Sequence, residues 1–258
     1  MTKQKSFFIP LTLLGAALSI ELVIVPGFST KILAQSELAN SSQSIPSSLF
    51  AGVTFEPPRD GKPDDTAGGA SRGNGCPQEI INIGGCITPL MPATNNGLTV
   101  SERPTFLLYI PETSAKEIFF SLSDENNNTH YQTKIPITGK AGIVNFQLPN
   151  NAPSLLIGKN YKWTFVLIDS QGLRPDSPGV QGKIRRVEPN PVMLSQLQNK
   201  TLLERAALYG KNGIWFETLQ SLAEARKSQP SDANLATTWQ ELLKSAGLQA
   251  IATKPILN

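Results

Sequence analysis

His130 is the single histidine in the 258-residue chain, so a Ser/His/Asp relay would have to run through it. It closes Asn126-Asn127-Asn128-Thr129-His130, a polar turn entering an alternating stretch, and that setting reads as a solvated loop residue. Asp60, Asp64 and Asp65 could offer hard oxygen ligands to Ca²⁺. Their spacing fits no cation loop, and the Gly/Pro surroundings read as a linker. Lys183, Arg185 and Arg186 could take an anion; the competing reading is the outer face and end of an edge strand, where basic residues discourage pairing with another chain. Arg72 lies in the glycine-rich stretch 68–75. There backbone can approach a ligand closely and a guanidinium can hold a carboxylate or phosphate through two parallel bonds, or it can simply anchor the loop. Tyr209, Trp215 and Trp239 offer rings to a partner; at helical spacing beside leucines they also read as core. No catalytic set and no metal or cofactor site emerges from these residues, so the expectation is a protein that is not an enzyme.

The two cysteines, Cys76 and Cys86, flank a short loop. An even count suits a disulfide in an exported chain, and a bridge this short is worth roughly 2–3 kcal/mol by chain entropy. A free pair and metal ligation are the alternatives, the latter needing more ligands than lie nearby.

Export is the expectation at the N-terminus. Lys3 and Lys5 precede an apolar run over 7–20, which is broken by Glu21 and resumes over 22–28. A basic start, an apolar middle and a small residue before a polar segment make a signal peptide over 1–34, cleaved near Ala34. The competing reading is a retained anchor, since a span needs about 20 apolar residues; Pro10, Glu21 and Pro26 interrupt it. Without residues 1–34 the chain loses Lys3, Lys5, Lys31 and Glu21, leaving 20 basic against 19 acidic side chains. No broad basic surface is implied, so nucleic acid is not expected as a partner, and membrane contact is expected only transiently through the signal segment.

The elements that would position these residues follow from periodicity. Residues 35–48 are Ser/Gln/Asn-rich and read as a flexible tether. Residues 49–190 read as a β-sandwich domain, with a first short strand over 49–55 and a Gly/Pro-rich loop over 57–86. Period-2 sets follow: Phe106, Leu108 and Ile110; Ile118, Phe120 and Leu122; residues 130–137; Val144, Phe146 and Leu148; Tyr161, Trp163, Phe165 and Leu167; and residues 180–187. From 191 to 258 the period becomes 3.6. Leu202, Leu203, Ala206 and Tyr209 share one face, and Trp215, Thr218, Leu219, Leu222 and Ala225 share another. Pro230 stops that helix, and Ser231 or Asp232 caps a last one carrying Leu235, Trp239, Leu242 and Leu243.

Leu155, Gly158 and Tyr161 resemble the corner before a late strand of immunoglobulin/fibronectin type III-like sandwiches, in which the tyrosine hydroxyl bonds upstream backbone. Ala206, Tyr209, Gly213, Thr218, Leu222, Ala225 and Pro230 resemble one tetratricopeptide-like helix pair. One such pair cannot bury its own faces, so it must dock on the sandwich, on the Trp239 helix or on a partner. The expected fold is therefore mainly β with α, an antiparallel sandwich followed by a helical region.

Phe55-Glu56-Pro57-Pro58-Arg59, then Gly68-Gly69-Ala70-Ser71-Arg72-Gly73 ahead of Cys76, resemble an uncharacterised family of exported cyanobacterial proteins, domain of unknown function 928. Pro104-Thr105-Phe106 with Tyr109, Tyr161-Lys162-Trp163, residues 182–186 and Asn212-Gly213-Ile214-Trp215-Phe216 carry the same resemblance. It covers about 49–256 and implies no activity. Its members often place a second cysteine in the strand that here ends at Asp169; this chain has Cys86 instead. The expected function is a non-catalytic extracytoplasmic module, periplasmic or at the cell surface, that binds a protein or cell-envelope component. The alternatives are a carbohydrate-binding module, which needs Tyr109, Tyr131 or Trp215 exposed and coplanar, and an envelope hydrolase using His130.

Overall fold

The computed structural model describes residues 52–58 and 85–257. The expectations for the signal segment, the tether, the loop residues Asp60, Asp64, Asp65 and Arg72, and Cys76 lie outside those residues.

Among the described residues eight strands come first in the chain: β1 (Thr88–Pro89), β2 (Asn96–Thr99), β3 (Thr105–Ile110), β4 (Glu117–Asp124), β5 (Thr129–Pro136), β6 (Gly142–Gln147), β7 (Asn160–Ile168) and β8 (Gly179–Arg186). They build a three-stranded sheet, β1-β3-β6, and a five-stranded sheet, β2-β8-β7-β4-β5. Four helices follow: α1 (Pro191–Leu197), α2 (Leu202–Lys211), α3 (Trp215–Ser228) and α4 (Ala233–Ser245), then a 3-10 turn, Gln249–Ile251. The architecture is mixed, sandwich-like sheets followed by helices.

The alternation read from the sequence sets the sheet faces. Along β4 and β7, Ile118, Phe120 and Leu122 stand opposite Leu167, Phe165 and Trp163, and all six are buried. Phe106 of β3 and Phe146 of β6 meet them from the other sheet, with ring centroids 5.3 and 4.7 Å from that of Phe120. In β3 all six residues are buried, although alternation predicts only one buried face. The second face is covered by later chain: α3 packs on β2 and β3, and Lys254 lies 5.9 Å from the Tyr109 ring. The C-terminal tail also joins the small sheet. Ile143 N–H donates to Pro255 O (2.7 Å) and Leu257 N–H donates to Ile143 O (2.7 Å).

Two expectations change. The strand expected over 49–55 is absent from residues 52–58, which are irregular. Glu56 N–H donates to Gly210 O (3.0 Å), so this segment is bonded to the end of α2 and not to a sheet. The approach is so close that a Cβ at Gly210 would collide with the Thr54 carbonyl. Nor is β8 an edge strand. The short β2 lies parallel along its outer side, with Asn96 opposite Lys183 and Thr99 opposite Arg186.

The helix over Trp215–Ser228 stops before Pro230, as expected. Gly213, at φ +72°, turns the chain out of α2, and Ile214 N–H closes the turn on Tyr209 O (3.0 Å). Asp232 caps α4 by accepting from Asn234 N–H (2.8 Å) and Leu235 N–H (3.1 Å). The apolar faces of α3 and α4 belong to the same core as both sheets, which includes Trp163, Trp215 and Trp239. No described helix is long and apolar enough to cross a membrane.

Candidate functional site

The most unusual chemistry among the described residues lies in the first turn of α3. Gly213 reverses the chain and Trp215 begins the helix, so Glu217 is its third residue and points at the exit of β2. Glu217 is buried, and one oxygen takes three donors: Oε1 accepts from Thr99 Oγ1 (2.5 Å), Ser101 N–H (3.0 Å) and Val100 N–H (3.2 Å). Oε2 is buried without a partner. Burial pushes the Glu217 carboxyl above the ordinary glutamate range, while the bonds from Thr99, Ser101 and Val100 pull it partly back. Burial, and then the charge of Glu217, raise Tyr209 as well. Two residues earlier, Trp215 Nε1 donates to Leu90 O (2.8 Å), next to β1. Every bond that Glu217 accepts comes from the Thr99 hydroxyl or from backbone, so the carboxyl clamps the strand exit to the helix. Sequence reading missed it because an acidic residue in a first helical turn is an ordinary preference, and nothing local shows that this one is buried.

The expected site residues are dispersed. Arg185 is exposed on the outer face of β8. Arg186 turns away from it, and its Nη1 donates to Leu155 O (2.6 Å). The two arginines therefore do not converge on one anion. Trp215 and Trp239 are both fully buried and Tyr209 is half-buried, which removes the tryptophans from the expected partner surface. The Trp215 helix packs on β2 and β3, the Trp239 helix packs on α3 and the 3-10 turn, and Trp239 receives the Arg226 guanidinium 5.3 Å from its ring centroid. Tyr109 is buried and Tyr131 half-buried, so with Trp215 they form no exposed platform. His130 is the second residue of β5, after the Asp124-capped turn; its Nε2 hydrogen-bonds Pro153 O (3.0 Å), and its ring lies edge-on to Tyr161. Among the described residues no cluster of His, Cys, Asp and Glu is placed to hold a metal.

The corner read from Leu155, Gly158 and Tyr161 closes as expected. Leu156 N–H donates to the Tyr161 hydroxyl (3.1 Å), Gly158 N–H donates to Arg186 O (2.7 Å), and Leu155 is fully buried. Tyr161→Phe leaves the Leu156 N–H without its acceptor. The expected cost is about 1 kcal/mol, measured as a lower urea midpoint at unchanged slope.

The profile of a family described as Domain of Unknown Function (DUF928) matches residues 67–256. The chain belongs to this family. No curated protein matches it. The matched span runs from before β1 to the tail residue Ile256, so both sheets, all four helices and the Glu217 clamp lie within the DUF928 domain.

Proposed function

We propose that this DUF928 member is a non-catalytic extracytoplasmic module that binds a protein or other component of the cell envelope. The observation that carries the reading is α1, which buries Met193 and leaves Val192 61% and Leu194 47% exposed. Apolar side chains held on a helix in solvent suit a docking surface. The lysines ahead of the apolar run over 7–28 support export, and export supports a Cys76–Cys86 bridge with Cys86 buried just before β1. Strand order and the Tyr161 corner support an immunoglobulin/fibronectin III-like sandwich, and the Gly213 turn between α2 and α3 supports a tetratricopeptide-like pair.

Crosslinked co-purification of the full chain from its native envelope tests the function. The wild type is expected to retain a discrete envelope component, and Val192→Asp/Leu194→Asp to reduce its recovery at least about tenfold, as loss of a docked apolar pair implies. Equal recovery by both proteins contradicts the reading. Probing envelope glycans with the same two proteins distinguishes a carbohydrate partner from a protein.

A further inference from the structure

The outer face of the five-stranded sheet handles charge in two different ways. On β4 and β5, Lys134 pairs with Glu117 (3.5 Å). On β7 and β8, Lys162 stands directly opposite Lys183, and Arg185 stands opposite Asn160. Like charges in opposed positions destabilise a sheet unless something neutralises them. Lys159, Lys162, Lys183 and Arg185 are all exposed, and none is in an ion pair among the described residues. The acidic group placed against them is Glu125, which accepts from the Asn160 backbone (3.0 Å) and side chain (2.7 Å) and feels Lys159 and Arg185. Glu125 thus answers Lys159 and Arg185, and no ion pair among the described residues answers Lys162 or Lys183.

This strip ends at an apolar tip. Leu156 and Ile157 are 61% and 51% exposed, one glycine ahead of Lys159. The tip is held firmly. Its Leu156 N–H is bonded to Tyr161, Leu155 O accepts from Arg186 Nη1 (2.6 Å), and Gly158 N–H reaches the end of β8. Arg186 therefore braces the tip, while Arg185 belongs to the strip.

We infer that the strip and tip dock on an anionic lipid bilayer, with Leu156 and Ile157 at the acyl boundary and Lys159, Lys162, Lys183 and Arg185 on headgroup phosphates. Charge complementarity selects an anionic surface, and the adjoining exposed apolar pair selects a bilayer over a polyanion, which has no use for Leu156 and Ile157. The inference is independent of α1 and goes beyond the proposed binding role.

Sedimentation of the full chain with phosphatidylcholine vesicles, with and without phosphatidylglycerol, tests it. The N-terminal apolar segment, with Lys3, Lys5 and Lys31, is common to every protein compared and cancels in the differences between proteins on the same vesicles, which therefore decide the test. The wild type is expected to bind phosphatidylglycerol vesicles at least about tenfold better than phosphatidylcholine ones, less so at high salt. Lys162→Glu/Lys183→Glu and Leu156→Ser/Ile157→Ser are each expected to lose about tenfold on the anionic vesicles, with unchanged melting because all four side chains are exposed. Lys162→Gln/Lys183→Gln, expected to lose less than the charge reversal, replaces it should that variant fold poorly. Equal binding to both vesicle types overturns the inference. So does full vesicle binding by the Leu156/Ile157 variant, which would make the strip a polyanion site.

Discussion

Truncating Trp215 to alanine is expected to lower the stability of the whole described fold by about 3–5 kcal/mol, the range for removing a fully buried large aromatic. The ring has no exposed surface, packs edge-on against Phe55 with centroids 4.7 Å apart, and donates from Nε1 to Leu90 O. Its loss opens a cavity and also strips the Leu90 carbonyl of its donor, so the effect reaches the sandwich as well as the helices. Urea unfolding followed by far-ultraviolet circular dichroism and by tryptophan fluorescence should show both midpoints falling together. A fall confined to the helical signal would mean that the helices are a separable appendage.

The second large effect is at Glu217. Glu217→Ala leaves the Thr99 hydroxyl and the Val100 N–H without their acceptor, while the Ser101 N–H keeps Thr99 Oγ1 (3.1 Å). The expected loss is about 2 kcal/mol or more, at roughly 1 kcal/mol or above for each of the two abandoned donors. Glu217→Gln keeps an acceptor oxygen and is expected to lose far less. The pH dependence has a defined sign. Burial raises the folded-state value of this carboxyl, so the folded protein holds the proton more tightly than the unfolded chain does. The resulting stability is fully present below the unfolded glutamate value of about 4.3 and is lost as pH rises through the raised folded value. Glu217→Gln removes this dependence. Asp124, Glu125 and Glu204 are shifted down by hydrogen bonds and act in the opposite direction, but they are common to both proteins. The wild type should therefore lose stability relative to Glu217→Gln as pH rises across that window; parallel curves would contradict it.

What could be read in the sequence was what is encoded locally. Tyr161, Trp163, Phe165 and Leu167 repeat at two and lie buried along β7. Leu235, Trp239, Leu242 and Leu243 repeat on a helix and are buried in α4, with Asp232 as cap. The Tyr161 corner was legible because Leu155, Gly158 and Tyr161 lie within one short stretch and the Tyr161 hydroxyl bonds Leu156, five residues upstream. What stayed hidden depends on partners distant in sequence. The short β2, Asn-Gly-Leu-Thr, has no usable period and becomes a strand only by lying beside β8. The double burial of β3 arises from chain beyond residue 190. Residues 49–55 alternate enough to suggest a strand, yet residues 52–58 are irregular and the Glu56 N–H is taken by Gly210 O. Trp215 and Trp239 read as core or as partner rings, with core favoured by the neighbouring leucines, and their burial in the shared core decides it. Lys162 and Lys183 are separated by 20 residues, and only the β7–β8 register makes them neighbours.

The central claim is that sheets and helices share one core, closed by Trp215 and Glu217. Native-state hydrogen exchange compares it directly at β7 (Asn160–Ile168) and α4 (Ala233–Ser245). The slowest amides of both elements should exchange with the same opening free energy, and Trp215→Ala should lower the two by equal amounts. If α4 amides open at lower free energy than β7 amides, or if the variant weakens α4 and leaves β7 protection intact, the single core does not exist.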